Sequence, residues 1–430
     1  MFRVDGPNLF LDDLTALIAI TSYNAKKPAL MLGGLILGED LMNERKEILY
    51  TKGTELTHDR MTRIVRRQEN NPDFIFNFFI SRTDQMITTF KTAIASDFKK
   101  LIASKQKVKS LRVLFENISN DAENLVESAL QDEGMIFSAM TMKFSTASGK
   151  EKIPSLLYFH SINVGLFSLA LVRSETLAPI VNFTPIQEKN LLLAAMLHNI
   201  GAVTNSEYIF NLQPEYRKDK YLEYTLRGLG DLGRLFLPRE ISDPIRTFID
   251  FLEGRHDCVG RSDPTSMAAN VLAVADSFCT RVFGIFDDRV PIKDVVDKLN
   301  VAGFERQMHN DVVKALTLGL DLRDIFDFYE AIENLMNSCP IEEKGAHPYP
   351  MTGMRSPSVF VCRSSHATCE HYEASIKAVS LVKEHGGLSA GRYCRCMLTT
   401  PKLLEFYDDH YDDIKGKENG SDKPAKPAKK

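Results

Sequence analysis

The residues most able to do chemistry lie in AAMLHNIGA, residues 194–202. An apolar helix is predicted to end there at His198, followed by Asn199 and a turn at Gly201. A carboxylate at position 199 would complete a metal-binding signature, because a carboxylate that bridges two divalent metals neutralises charge and sets their spacing. Asn199 offers only a weak, neutral carbonyl oxygen. The segment therefore predicts a metal site without the group that two-metal hydrolysis requires.

This segment resembles the HD-GYP branch of the HD phosphohydrolases, in which the corresponding pattern reads His-Asp-Ile-Gly-Lys. In this chain Asn199 stands at the Asp and Ala202 at the Lys. The resemblance covers roughly residues 155–320, with weaker support from the N-terminal module. It implies a helical HD-type domain and, in a catalytically complete member, a metal-dependent phosphodiesterase acting on a cyclic dinucleotide such as cyclic di-GMP.

The resemblance also implies a set of metal ligands, and three of them are present. YFHSINVGLFSLAL places His160 at the family's first His, and VLAVADSFCTRVFG places Asp276 at the Asp that closes the site. With His198 these residues make a half-site for one divalent metal, and two neutral imidazoles with a carboxylate suit Fe, Mn or Zn. The alternative is that each of the three is a satisfied polar residue on a mostly apolar helix.

Other ligand positions implied by the resemblance are apolar here: Leu156, Leu229, Phe251 and Leu252. A protein interior is expected to change in this way once it no longer holds a charged ion, because a buried unpaired His is costly. His256 and Asp257 lie nearby, but in the wrong turn of the helix or in the loop beyond it. We therefore do not expect them to replace the missing ligands.

Composition bounds the class of protein. The chain has 430 residues, 44% hydrophobic and 26% charged, which is enough for two or three soluble domains. A net charge of −4 argues against general nucleic-acid binding. The sequence has no apolar run near the ~20 residues that span a bilayer, and its N-terminus lacks a basic-then-apolar signal, so a cytoplasmic protein without a membrane span is expected.

The pattern of residues predicts a mainly α fold with a small α/β module at each end. Two short strands around the turn Asn43–Lys46, then a helix entered through Thr57, define an N-terminal module over 1–84. A stripe of apolar residues at helical spacing predicts a helical connector over 85–149: Met86, Phe90, Ile94, Phe98 and Leu101. Such helices pack on their neighbours or form homodimers.

Helical periodicity dominates residues 150–335, the HD-type domain, and is interrupted by prolines that include Pro185, Pro244 and Pro264. Residues 339–414 change to a Cys-rich composition, with a strand at SVFVC and a predicted helix at EHYEASIKAVSLVKEHGG, and form a second α/β module. The lysine-rich end, 415–430, is expected to be a disordered basic tail.

Four cysteines of the C-terminal module have a spacing that can bind metal: Cys362, Cys369, Cys394 and Cys396. The first pair is C-x6-C and the second is C-x-C, and two pairs joined by a strand and a turn can close a tetrahedral thiolate site for structural Zn. His366 and His371 are alternative ligands. An iron–sulfur cluster, reduced thiols and a regulatory disulfide remain open.

Two functions from different classes fit these residues. The first is a catalytically degenerate signalling protein, similar to HD-GYP proteins or to the non-catalytic HDOD scaffold, that binds a protein partner or a nucleotide second messenger. The second is an active cyclic dinucleotide phosphodiesterase, which one incomplete half-site would support poorly. The missing carboxylate at Asn199 favours the first, and metal analysis with an activity assay separates the two.

Overall fold

The computed structural model of the chain describes residues 2–5, 8–11, 35–81, 84–119, 122–131, 156–204, 212–234, 237–255, 259–286, 290–323, 361–362, 372–377 and 392–396, with isolated positions between them. The predicted tail over 415–430 lies outside these ranges, and the predicted module boundaries remain predictions. The described part is mainly helical, as the periodicity indicates. None of its helices combines the length and the apolar character needed to cross a membrane.

A four-stranded antiparallel sheet lies near the N-terminus. It contains β1 (Phe2–Asp5), β2 (Asn8–Leu11), β6 (Phe78–Ser81) and β3 (Ile36–Leu37), in that order across the sheet. A separate hairpin pairs β4 (Leu41–Met42) with β5 (Ile48–Tyr50).

The hairpin turn and the first helix follow from local side-chain hydrogen bonds. In the turn, Asn43 Oδ1 accepts from the backbone N–H groups of Arg45 and Glu47, each at 2.9 Å. Helix α1 (His58–Asn70) begins after Thr57, whose hydroxyl accepts from the backbone N–H of Arg60 at 3.4 Å. These are the strands, turn and N-cap that the sequence predicts.

The described residues of the predicted connector form three helices: α2 (Asp84–Gln106), α3 (Lys109–Ser119) and α4 (Ala122–Ala129). Met86, Phe90, Ile94 and Phe98 are buried, and Leu101 is only partly so. Helices α2 and α3 contact the helix that carries His160. The apolar stripe is therefore part of the same core as the candidate site.

Within the described part of the chain, the candidate site lies among nine further helices: α5 (Leu156–Val172), α6 (Ala178–Val181), α7 (Pro185–Leu197), α8 (Ile200–Thr204), α9 (Pro214–Arg234), α10 (Arg239–Leu252), α11 (Pro264–Val282), α12 (Ile292–Phe304) and α13 (Asn310–Gly319). Helix α5 packs against α7 and α11, and α10 packs against the same two helices. Every residue of α5 from Leu157 to Val172 is buried except Phe159. On such a helix a polar side chain is costly unless it is paired with another side chain, with backbone or with an ion.

Prolines mark helix starts in this domain, with one exception. Pro185 and Pro264 occupy the first residues of α7 and α11, where a missing N–H costs nothing. The expectation that Pro244 interrupts the helical pattern is wrong, because Pro244 lies inside α10. The carbonyl that Pro244 leaves without a helical donor belongs to Glu240, which is exposed in the first turn, so water can satisfy it.

The C-terminal module contributes three short strands: β7 (Val361–Cys362), β8 (Tyr372–Lys377) and β9 (Arg392–Cys396), in the order β7-β9-β8. The strand predicted at SVFVC is present in its last two residues. The helix predicted from residue 370 is wrong over Tyr372–Lys377, which pairs antiparallel with β9. Tyr372 and Ile376 favour a strand once a partner strand is available, and this tertiary pairing overrides local periodicity.

Candidate metal centre

His198 is positioned by the end of a helix that is fixed at both ends. Helix α7 begins with a capping box between Thr184 and Gln187, and its C-cap residue is His198. The His198 ring Nδ1 lies 2.6 Å from the Ala195 carbonyl oxygen, which can only accept. Nδ1 therefore carries a hydrogen, and Nε2 is the ring nitrogen that faces the neighbouring polar side chains.

His160 and Asp276 complete a buried group of three with His198. His160 lies on α5 and Asp276 on α11, and the ligand atoms of the three residues all lie within 4.8 Å of one another. His160 Nε2 is 2.8 Å from Asp276 Oδ1, and His198 Nε2 is 3.4 Å from the same oxygen. A metal with bonds of about 2.1 Å holds neighbouring ligand atoms about 3.0–3.4 Å apart, so these separations suit one ion.

Burial and pairing set the charges of this group. Burial would raise the pKa of Asp276, but its interactions with His160 and His198 outweigh burial, and the pKa lies well below its ordinary value. Burial lowers the pKa of His160, against the opposing effect of Asp276. At neutral pH the group therefore contains an Asp276 carboxylate and a neutral His160 ring.

The hydrogen-bond pattern of the group is incomplete in a way that a cation would correct. His198 Nε2 is buried without a hydrogen-bond partner, and it faces the Asp276 oxygen. A divalent cation between these two atoms would bind both of them. The three residues thus fit a divalent metal by their donor chemistry as well as by their spacing.

Asn199, where the resemblance has a bridging carboxylate, is engaged in the protein interior instead. Its side chain is fully buried, and its Oδ1 accepts a hydrogen bond from the Ser161 hydroxyl at 2.8 Å. Its Nδ2 is buried without a partner within hydrogen-bond geometry. Asn199 therefore ties the His198 turn to α5 and adds no negative charge.

Helix α9 brings two hydroxyl groups to Asn199. Tyr221 and Thr225 are buried on α9, and burial raises the pKa of Tyr221 while its neighbours Asn199 and Thr225 oppose that shift. Neither hydroxyl has a hydrogen-bond partner within standard geometry. This side of the site therefore offers neutral donors and acceptors, where a second metal would need anionic or imidazole ligands.

Two glycines allow α9 to approach this closely. Gly201 lies within α8, not in the turn that the sequence predicts. A Cβ on Gly201 would lie 2.6 Å from the Gly228 Cα of α9, so the two helix backbones are in direct contact. Only glycine permits that contact, which fixes where Tyr221 and Thr225 lie relative to Asn199.

The apolar positions read from the sequence behave as packing residues. Phe251 is buried and Leu252 is partly buried, both at the end of α10, whereas Leu156 is on the surface. The side chain of Leu229 and all of His256 and Asp257 lie outside the described residues. The described part of the chain therefore places none of the missing ligands near Asp276.

A cavity of about 550 Å³ opens beside the group of His160, His198 and Asp276. Its wall includes Tyr221, Phe248, Phe251, Leu252, Asp276 and Thr280. His160 and His198 lie behind this wall, and the Asp276 side chain is 10% exposed. Asp276 is thus the member of the buried group that a ligand in the cavity would meet.

The sequence did not indicate Ser161, Tyr221 or Thr225. Ser161 follows His160 directly, and that adjacency is the signal that could have found it. Tyr221 and Thr225 are four residues apart on a predicted helix, which puts them on one face, but nothing in their types points to Asn199.

The cysteine module is described only at its strands. The register of β7 and β9 places Cys362 opposite Cys394, and Cys396 is two residues further along β9. Cys369, His366 and His371 lie outside the described residues. The backbone therefore brings two of the four predicted cysteine positions together and leaves the proposed Zn site a prediction.

Comparisons with known proteins add little to this geometry. No protein-family model matches the chain, and no curated protein matches it. Among solved structures, the chain is similar to Bd1817, an HDG"Y"P protein from Bdellovibrio bacteriovorus, at 15% sequence identity and a TM-score of 0.30. That match covers 69% of this chain and 97% of the other. Because the TM-score is low, the functional argument rests on the side chains of this chain.

Proposed function

We propose that this chain is a catalytically degenerate HD-GYP-like signalling protein. In this proposal the helical domain holds at most one divalent metal, binds a nucleotide or a protein partner, and does not hydrolyse a cyclic dinucleotide. The observation that carries the proposal is the environment of Asn199. Its amide is hydrogen-bonded to Ser161 and faces hydroxyls, where a second metal would need a carboxylate.

Two-metal hydrolysis uses one ion to generate hydroxide and both ions to stabilise the charge on phosphorus. His160, His198 and Asp276 would hold one ion, which when bound lowers the pKa of a coordinated water. The described residues around Asn199 supply no anionic ligand for a second ion. Ala202 stands at the Lys of the signature and is fully buried, so that position contributes no positive charge either.

The test is a hydrolysis assay on the whole chain. Protein loaded with Mn or Fe is incubated with cyclic di-GMP, and the products are separated by chromatography. We expect no more product than from His198→Ala carried through the same loading. Turnover in the parent chain that disappears in His198→Ala would overturn the proposal and establish the phosphodiesterase alternative.

A reverse test asks whether the bridging carboxylate alone limits the chemistry. Asn199→Asp restores that group but leaves Phe251 and Leu252 at the positions where the resemblance implies a His pair. We expect no turnover from this variant under the same loading. Activity in Asn199→Asp would show that the second half-site is complete apart from position 199.

The phosphodiesterase remains a second candidate because of one feature, the cavity that reaches Asp276. A substrate in that cavity would lie next to a single bound ion. The same assay decides between the candidates, since only the phosphodiesterase predicts product.

A further inference from the structure

The cavity beside Asp276 has walls and charges that specify a class of ligand. We propose that it binds a small anion with a planar ring, about the size of a nucleoside monophosphate, and that this binding needs no metal. The inference rests on the proposed function, because a binding protein requires a ligand that it does not consume.

The inner walls of the cavity are aromatic. Phe248, Phe251 and Phe286 line it together with Tyr221. The Tyr221 and Phe286 rings lie 4.4 Å apart at an interplanar angle of 44°. Walls of this kind bind a planar ring by stacking and by burial of apolar surface.

The rim of the cavity is basic. Lys218, Arg281 and Lys298 line it from three different helices, α9, α11 and α12. The carboxylates in the lining are Asp219 and Asp276, and Asp276 is already paired with His160. Among the described residues, neither Lys218 nor Arg281 forms an ion pair. The rim therefore favours a phosphate or a carboxylate, which Arg281 can bind through two parallel hydrogen bonds.

Along helix α11, the lining of the cavity changes from a negative to a positive charge. Ala273, Asp276, Ser277, Thr280 and Arg281 all line it, at spacings that place them on one face of the helix. Asp276 is at the buried end and Arg281 is five residues further along, a rise of about 7.5 Å. A bound molecule would place its anionic group at Arg281 and a hydrogen-bond donor edge of its ring toward Asp276.

This polarity fits one anionic group better than two. A cyclic dinucleotide carries two phosphates, and seating one at Arg281 would bring the other toward the Asp276 end, where the charge is negative. A nucleoside monophosphate has one phosphate at one end of its length, and its ring edge can donate at the other.

The experiment is calorimetric titration of the whole chain with GMP and with AMP, in the presence of a chelator. We expect binding that Arg281→Gln weakens at least tenfold. The matched control is Arg246→Gln, which changes an exposed arginine of α10 outside the cavity and should alter the affinity less than twofold. Guanosine and inorganic phosphate should each bind at least tenfold more weakly than GMP.

A second variant tests the cavity without changing its charge. Ser277→Phe fills the space from a partly exposed position, so its fold should be retained, and circular dichroism checks this. Binding should be lost. Equal affinities of Arg281→Gln and Arg246→Gln, unchanged binding in Ser277→Phe, or no binding of either nucleotide by the parent chain would overturn the inference.

Binding of cyclic di-GMP without binding of GMP or AMP would also overturn it, because the ligand class would then be larger. Hydrolysis is measured separately in metal-loaded protein. Product formation would refute the proposed function and leave a metal-independent nucleotide site standing, whereas absent binding with no turnover refutes only the inference.

Discussion

The two sides of the buried site differ in charge, although adjacent residues of the chain contribute to both. On one side, His160, His198 and Asp276 keep two imidazoles and a carboxylate within reach of one ion. On the other, Asn199, Tyr221 and Thr225 offer an amide and two hydroxyls. Adjacent residues, His198 and Asn199, thus belong to opposite sides of the site.

This difference shows that the two sides are held in place by separate contacts. The first half is anchored by its own hydrogen bonds, from His198 to Ala195 and between His160 and Asp276. The second half is closed by the contact of α8 with α9 at Gly201 and Gly228. The positions of His160, His198 and Asp276 therefore do not depend on a charged group at position 199.

We expect the largest effect from placing a charge on the side formed by Asn199, Tyr221 and Thr225. Asn199→Asp would bury a carboxylate with no cation beside it, so in chelator we expect the free energy of unfolding to fall by about 3 kcal/mol. Urea unfolding at pH 7 measures this. The control Asn199→Ala removes the amide without adding charge and should cost about 1 kcal/mol. If Asn199→Asp were as stable as the parent chain, the side formed by Asn199, Tyr221 and Thr225 would already contain a cation. The two sides would then not differ in charge.

Metal content tests the group formed by His160, His198 and Asp276. His198→Ala removes a ligand, and we expect the affinity for Mn or Zn to fall at least about 100-fold, or about 2.7 kcal/mol. Mass spectrometry of the dialysed protein measures the bound metal. Cys394→Ser is the matched variant at the other candidate site. If the cysteines hold structural Zn, each variant should lose a different equivalent. Full metal retention in His198→Ala would show that the three residues are not ligands.

In metal-free protein, we expect His160 and Asp276 to make the stability depend on pH. Burial lowers the pKa of His160 below 6.5, so the unfolded chain binds a proton more readily than the folded chain does. Stability should fall as the pH drops below about 6.5, by up to about 1.4 kcal/mol per pH unit. A further loss begins below 3.8, because the pKa of Asp276 is lowered and its ion pair disappears when it is protonated.

His160→Gln is the control for this profile, since the other histidines still titrate in it. Urea unfolding at pH 7, 6 and 5 should show a shallower loss in His160→Gln than in the parent chain. If the two proteins lost stability in parallel as the pH fell, the neutral state assigned to His160 would be wrong.

We expect the smallest effects from removing the hydroxyl groups that lie near Asn199. The hydroxyls of Tyr221 and Thr225 are buried without partners, so Tyr221→Phe and Thr225→Val should change the free energy of unfolding by no more than about 0.5 kcal/mol. Ser161→Ala removes a hydrogen bond to Asn199 and should cost about 1 kcal/mol. A larger loss of stability in Tyr221→Phe would show that the Tyr221 hydroxyl makes a stabilising hydrogen bond.

Local signals were sufficient for several elements. Thr57 as an N-cap, the turn at Asn43 and the prolines at the start of α7 and α11 depend on neighbours a few residues away, so spacing reveals them. Pro244 and the strand Tyr372–Lys377 did not follow from spacing. Their conformations depend on an exposed carbonyl and on a partner strand.

The sequence by itself determined which residues are available: His160, His198 and Asp276 on apolar segments, and a neutral Asn199 beside His198. The tertiary structure decided their roles. Packing of α5, α7 and α11 converts three distant positions into one group, because helices without a polar face must bury their polar side chains against each other. The neighbours of Asn199 are Ser161 on α5, 38 residues away along the chain, and Tyr221 and Thr225 on α9, 22 and 26 residues away, and local spacing does not encode such contacts.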